Sequence, residues 1–138
     1  MAEENYKHSE ITGRIIQGFY KVYNTLGYGF LERVYENAMQ IELMEMNLTV
    51  ITQSPIKVFY KMNEIGLYYA DLLVNGCVIV ELKAAESLCE EHEAQLINYL
   101  KATEIEVGLL LNFGKEPEIK KKAFSNRYKI ISNHNNHN

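Results

Sequence analysis

Three charged residues stand inside apolar runs, where a lone charge is costly to bury. Tyr69-Ala70-Asp71-Leu72-Leu73-Val74 and Cys77-Val78-Ile79-Val80-Glu81-Leu82-Lys83 read as two strands joined at Asn75-Gly76, a strong hairpin signal. Charges within such strands call for pairing or a cation. An acid on one strand, and an acid two residues before a lysine on the next, can build a divalent-metal site with a lysine beside it. Oxygen ligands of this kind suit Mg²⁺ or Mn²⁺. Taken alone, Glu81-Leu82-Lys83 fits a solvent-exposed sheet face better than a functional site.

The register of the hairpin bears on that choice. A two-residue turn pairs Val74 with Cys77 and sends Asp71 and Glu81 to opposite faces, because side chains alternate with period two. A three-residue loop, Asn75-Gly76-Cys77, pairs Val74 with Val78 and puts Asp71 opposite Glu81. Leu72, Val74, Val78, Val80 and Leu82 then share one face, and the three charges share the other. This second register separates apolar from charged side chains and is the expected one, with a loop or bulge at Gly76. Carboxylates directly opposite on antiparallel strands repel each other. A divalent cation between them turns that repulsion into ligation.

The elements that must position these residues follow from periodicity. Ser9 is a plausible N-cap, and Ile11, Ile15, Ile16, Phe19, Val22, Tyr23 and Leu26 recur at helical spacing until Gly27 and Gly29. A second helix is expected from about Leu31 to Met46, with Val34, Ala38, Ile41 and Met44 or Glu45 on successive turns. Strands are expected near 56–60, 66–74, 77–83, 107–112 and 128–131. Helices are expected near 88–102 and 116–123. The order is α-α-β-β-β-α-β-α-β, a mixed α/β domain with helices on a central sheet. It spans residues 1–131, with 132–138 a polar, disordered tail.

The 138 residues suffice for one domain with a real core, and 47% apolar with 23% charged residues is an ordinary globular balance. No run approaches the roughly 20 apolar residues of a membrane span, and the acidic N-terminus is no signal peptide. Cys77 and Cys89 suggest reduced thiols and a cytoplasmic setting more than a disulfide framework. A net charge of −4 counts against a high-affinity non-specific nucleic-acid binder without excluding a nuclease, whose metal offsets its carboxylates. Late basic residues, Lys115, Lys120, Lys121, Lys122, Arg127 and Lys129, read individually as a solvated helix face.

Two further groups draw attention. Glu32 opens the second helix, where an acid is stabilised by the helix N-terminus. On the third, His92, Gln95 and Tyr99 lie at i, i+3 and i+7, hence on one face. That face reads either as a polar rim or as contacts to phosphate, sugar or base.

The segment Gly29-Phe30-Leu31-Glu32-Arg33-Val34-Tyr35 matches the Gly-x-x-Glu-x-x-Tyr signature for which a small family of bacterial and archaeal proteins is named. The similarity continues through Tyr69–Val74, Val80–Lys83, His92–Ala102 and Val107–Gly114, and so covers about residues 10 to 130. The chain resembles this GxxExxY family, which looks like a branch of the PD-(D/E)xK nuclease superfamily. The resemblance implies a restriction-endonuclease-like core and phosphodiester hydrolysis in DNA or RNA. It implies that Asp71 and Glu81 bind the metal together with the Leu82 carbonyl, and that Lys83 is the catalytic lysine. Glu32 would reach the metal directly or through water, and Gln95 and Tyr99 match a Gln-x-x-x-Tyr motif of exonuclease-like members. Ala70 replaces the proline that often precedes the aspartate; that proline is not a ligand. Rival readings are a non-catalytic nucleic-acid- or protein-binding module on the same fold, and an accessory subunit or homodimer using Tyr20, Tyr28, Tyr60 and Tyr68 as a partner surface.

Overall fold

Residues 7–129 are described by a computed structural model. The apolar periodicity of the first segment gives helix α1 (Ser9–Leu26), which buries Ile15, Phe19 and Val22 and ends at Gly27, φ 69°. Ser9 is the first residue of the helix rather than its cap; the cap position falls on His8, with no side-chain capping bond. Helix α2 (Glu32–Glu45) turns a different face inward from the one expected. Tyr35, Glu36, Met39 and Leu43 are buried, while Val34, Ile41 and Met44 are 39%, 62% and 55% exposed. Both rows have helical spacing, but the larger Tyr35-Met39-Leu43 row fills more of the space against the sheet.

Five strands follow, β1 (Val50–Tyr60), β2 (Asn63–Val74), β3 (Val78–Lys83), β4 (Val107–Phe113) and β5 (Pro117–Ala123), with helix α3 (Glu90–Lys101) between β3 and β4. The sheet order is β1-β2-β3-β4-β5. Among the described strands only the β3–β4 pair is parallel, as the α3 crossover requires. The α/β class with a mixed sheet between helices therefore stands, but the expected element order needs two corrections. Residues 117–123 form strand β5, not a helix, and Tyr128 lies in a short 3₁₀ turn (Asn126–Tyr128), not in a last strand. Lys120, Lys121 and Lys122 mimic a solvated helix face because β5 is a sheet edge, where lysine blunts unwanted pairing. The proposed strand end at 130–131 and the tail 132–138 lie outside the described residues.

The core has two parts. Against α1 and α2 pack Leu72, Val74, Val78, Val80 and Leu82, the five aliphatic residues expected to share a face, together with Val107, Leu109, Leu111 and Phe113. Against α3 pack Ile79 and Leu110 from the sheet, with Ile56 and Ala70 from the β1–β2 arm. Gly108 lets α3 approach β4 closely, since a Cβ there would lie 2.6 Å from Leu96 Cδ1.

Candidate active site

The β2–β3 hairpin adopts the three-residue loop: Val74 pairs with Val78, Leu73 with Ile79 and Leu72 with Val80. Asn75 and Gly76 take positive φ, 51° and 66°, and Asn75 Oδ1 accepts from the Thr49 backbone at 2.8 Å, which fixes the loop. The ladder then stops. One residue further, the Asp71 amide donates to Glu81 Oε2 at 2.8 Å, and the Leu82 amide donates to Asp71 Oδ2 at 2.8 Å. Each carboxylate accepts a backbone amide from the facing strand. The strands part, their donors stay satisfied, and two acids are held together in the gap.

Strict alternation also ends here. Leu72 and Val74 face α1 and α2, but Ala70 faces α3. Opposite Asp71, Gln53 of β1 has φ 51°, and the Gln53–Asp71 position drops out between the pairs Thr52–Leu72 and Ser54–Ala70. Asp71 thus sits at a change of phase, where groups from both helical layers can reach it. From the α2 side, buried Glu36 accepts from Gln53 Nε2 at 2.6 Å, and the same nitrogen lies 3.4 Å from Asp71 Oδ1. From the α3 side, Lys83 Nζ donates to Gln95 Oε1 at 3.3 Å.

Electrostatics reflect the crowding. Burial, then the Asp71 charge, pushes the Glu81 carboxyl up to about 8, against the opposing pull of the Asp71 amide and Lys83. Burial, then the charges of Glu81 and Asp71, pushes the Tyr99 hydroxyl up to about 12. Both shifts come first from burial and then from the closeness of Asp71 and Glu81 to each other and to Tyr99 on α3.

Residues 9–123 match the family model of the PD-(D/E)XK nuclease superfamily. The chain belongs to the PD-(D/E)XK nuclease superfamily. No curated protein and no solved structure matches it. Membership brings with it a nuclease-type function and nucleic acid as the class of substrate, and enzymes of this superfamily typically use divalent metals. No helix among the described residues is long and apolar enough to cross a membrane.

The donor set fits a hard divalent cation. Asp71 and Glu81 offer oxygen only, and their backbone bonds hold the two carboxyls side by side. Among the described residues no three acids, histidines or cysteines converge. A cation held by one or two carboxylates, waters and substrate phosphate matches that count.

The motif residues divide by what they touch. Glu32 is exposed at the first turn of α2; its charge is the last and smallest of the influences raising Glu81, and no hydrogen bond joins it to the other acids. Tyr35 builds the loop ahead of it: its hydroxyl donates to Gly27 O at 2.7 Å and accepts from the Phe30 amide at 3.2 Å, while its ring stacks on Phe113 at 4.0 Å. Gly29, φ 111°, permits the turn that this staple closes. His92 Nδ1 accepts from the Cys89 amide at 3.2 Å, so it caps α3 rather than joining the site. Asn112, fully buried, grips the backbone of Ala85 from both ends of its amide and fixes the chain just beyond Lys83.

Sequence reasoning missed Glu36 and Gln53. Glu36 lies one turn after Glu32, and that spacing, which puts both acids on one side of the helix, was its only sign in the sequence. Gln53 carried no such sign, because its role depends on a backbone conformation that propensity does not foretell.

Proposed function

We propose that the chain is a Mg²⁺- or Mn²⁺-dependent phosphodiesterase of the GxxExxY branch, acting on DNA or RNA from a single domain over residues 1–131. The observation that carries this reading is the reciprocal capture of strand amides by Asp71 and Glu81, which holds two acids together in a gap between strands. In this reading Asp71, Glu81 and the Leu82 carbonyl bind the metal. When bound, the metal activates a water and offsets charge on the phosphate. Lys83 orients the attacking water or stabilises the developing negative charge, with Gln95 holding its ammonium in line. Tyr99 donates a hydrogen bond to substrate; a hydroxyl pushed up to about 12 remains protonated at neutral pH and serves as donor, not base. Glu32, exposed at the first turn of α2, would reach the metal directly or through water. Glu36 and Gln53 act through Asp71 and are positioning residues.

A non-catalytic binding module on the same fold would have no use for an acid pair of this cost beside Lys83 and Gln95. The deciding experiment incubates labelled single- and double-stranded DNA and RNA with Mg²⁺, Mn²⁺ or EDTA, for wild type and Lys83→Ala. Cleavage requires metal and falls at least ~100-fold in the variant, the scale of losing one preorganised electrostatic group. Lys83 is only partly buried at a strand end, so the variant folds. If wild type cuts nothing in the panel with either metal, the binding module replaces the nuclease.

A further inference from the structure

The described surface has a cleft of about 620 Å³ between α3 and the β1–β2 arm, lined by Val58, Tyr68, Gln95, Asn98, Tyr99 and Ala102. It adjoins the site through Gln95, whose Oε1 accepts from Lys83, and through Tyr99, which is buried beside the carboxylates. We infer that this cleft is a binding pocket for one unpaired nucleobase, so that the substrate is single-stranded nucleic acid with its phosphodiester at Asp71, Glu81 and Lys83. The inference rests on the nuclease reading and adds the substrate class to it.

Size is the first argument. Ligand pockets run from ~300 to ~1,000 Å³, which accommodates a base but not a base pair within its helix. A base must leave its stack to enter.

Chemistry is the second. The walls are two tyrosine rings and small aliphatic side chains, and the amides of Asn98 and Gln95 supply donors and acceptors suited to a base edge. Tyr68 is half-exposed, and its ring lies across Gly66: a Cβ at Gly66 would come within 3.2 Å of Tyr68 Cε2. The ring is thus laid along the arm, 5.9 Å from the Tyr99 ring and inclined 43° to it, with half of its surface open to solvent. Glu91, which also lines the cleft, repels phosphate and so leaves the phosphodiester to the Lys83 side.

Charge is the third. Duplex binding without sequence preference draws on many phosphate contacts to basic groups. A chain of net charge −4 is poorly equipped for that. Stacking on aromatic side chains supplies affinity that does not depend on net charge.

The test measures fluorescence anisotropy of labelled oligomers about ten nucleotides long, single-stranded and duplex, in EDTA so that nothing is cut. Wild type is expected to bind single strands more tightly than duplex. Tyr68→Ala should weaken single-strand binding about ten-fold or more, the loss of one stacked base, while Tyr68→Phe keeps it. Ala94→Leu, at an exposed helical position on the cleft wall, should obstruct the pocket and weaken binding similarly without harming the helix. The pocket is overturned if Tyr68→Ala and Ala94→Leu both bind single strands like wild type, or if wild type prefers duplex or binds neither form. These outcomes separate from the nuclease test. A protein that cuts, yet binds normally as Tyr68→Ala, is a nuclease without this pocket. One that never cuts, yet loses single strands in both variants, has the pocket and not the activity.

Discussion

The two faces of the sheet are built to different ends. Among the described residues, sixteen buried apolar ones form one cluster against α1 and α2, closed by stacking of Tyr35 on Phe113. Against α3 only eight do so, and beyond them lie Glu81, Lys83, Gln95 and the cleft. The same strand β3 serves both faces: Val78, Val80 and Leu82 enter the larger core, while Ile79, Glu81 and Lys83 alternate away from it. The large face can therefore supply stability while the small face tolerates charge, which is the arrangement a site with repelling carboxylates requires.

The largest effect that would test this division is a core truncation. Phe113→Ala, at a position 1% exposed, should cost about 3–5 kcal/mol in urea unfolding. Tyr99→Phe, on the open side, should cost about 1 kcal/mol or less, since it removes one hydroxyl and leaves the ring. Equal losses would mean that the α3 face carries as much of the fold as its partner.

A smaller effect comes from pH. Glu81 has its folded-state pKa raised from 4.5 to about 8, so the folded form holds a proton that the unfolded form gives up. Its contribution to stability is complete below about 4.5 and is lost as pH rises through about 8. In EDTA the melting temperature should therefore fall between these limits. Glu81→Gln should flatten the fall and be the more stable protein at pH 9, by on the order of 1–3 kcal/mol, because Asp71 shares the titration. Bound Mg²⁺ or Mn²⁺ should also flatten it, since the ionised acids then have a counter-charge. A wild-type curve that rises over this range would remove the crowded acid pair from the picture.

How far the sequence foretold this division depends on what set each residue's place. The hairpin register was legible because five aliphatic residues had one common face to fill, and a shift by one would have buried charge. Asp71, Glu81 and Lys83 followed from it. The inward face of α2 was not legible. Val34, Ile41 and Met44 are as apolar as the row that is buried, and only the shape of the facing sheet chooses between them. Strand β5 was hidden by its lysines, which an edge position tolerates and a central strand would not. The change of phase at Asp71 breaks the period-two rule itself, so no reading built on that rule could reach Gln53 or the turning of Ala70 toward α3.

Gln53 gives the smallest and most pointed test. A non-glycine residue at φ 51° opposite Asp71 is backbone strain of the kind that persists where surroundings over-determine it. Its amide joins Glu36 to Asp71 and so carries the larger face's rigidity to the smaller face's acid. Gln53→Gly relieves the strain and removes the bridge. If the bridge serves the site, the variant should melt no lower than wild type, with up to about 1 kcal/mol gained. Its kcat should nevertheless fall ~10-fold with KM nearly unchanged, as when a partner that orients a ligating carboxylate is lost. Gln53→Ala keeps the strain and loses the bridge, so it should show the same kcat without the gain in stability. A Gln53→Gly protein that is less stable but fully active would make the bridge a structural strut, and would assign the strain to the fold of the arm instead of to the acids.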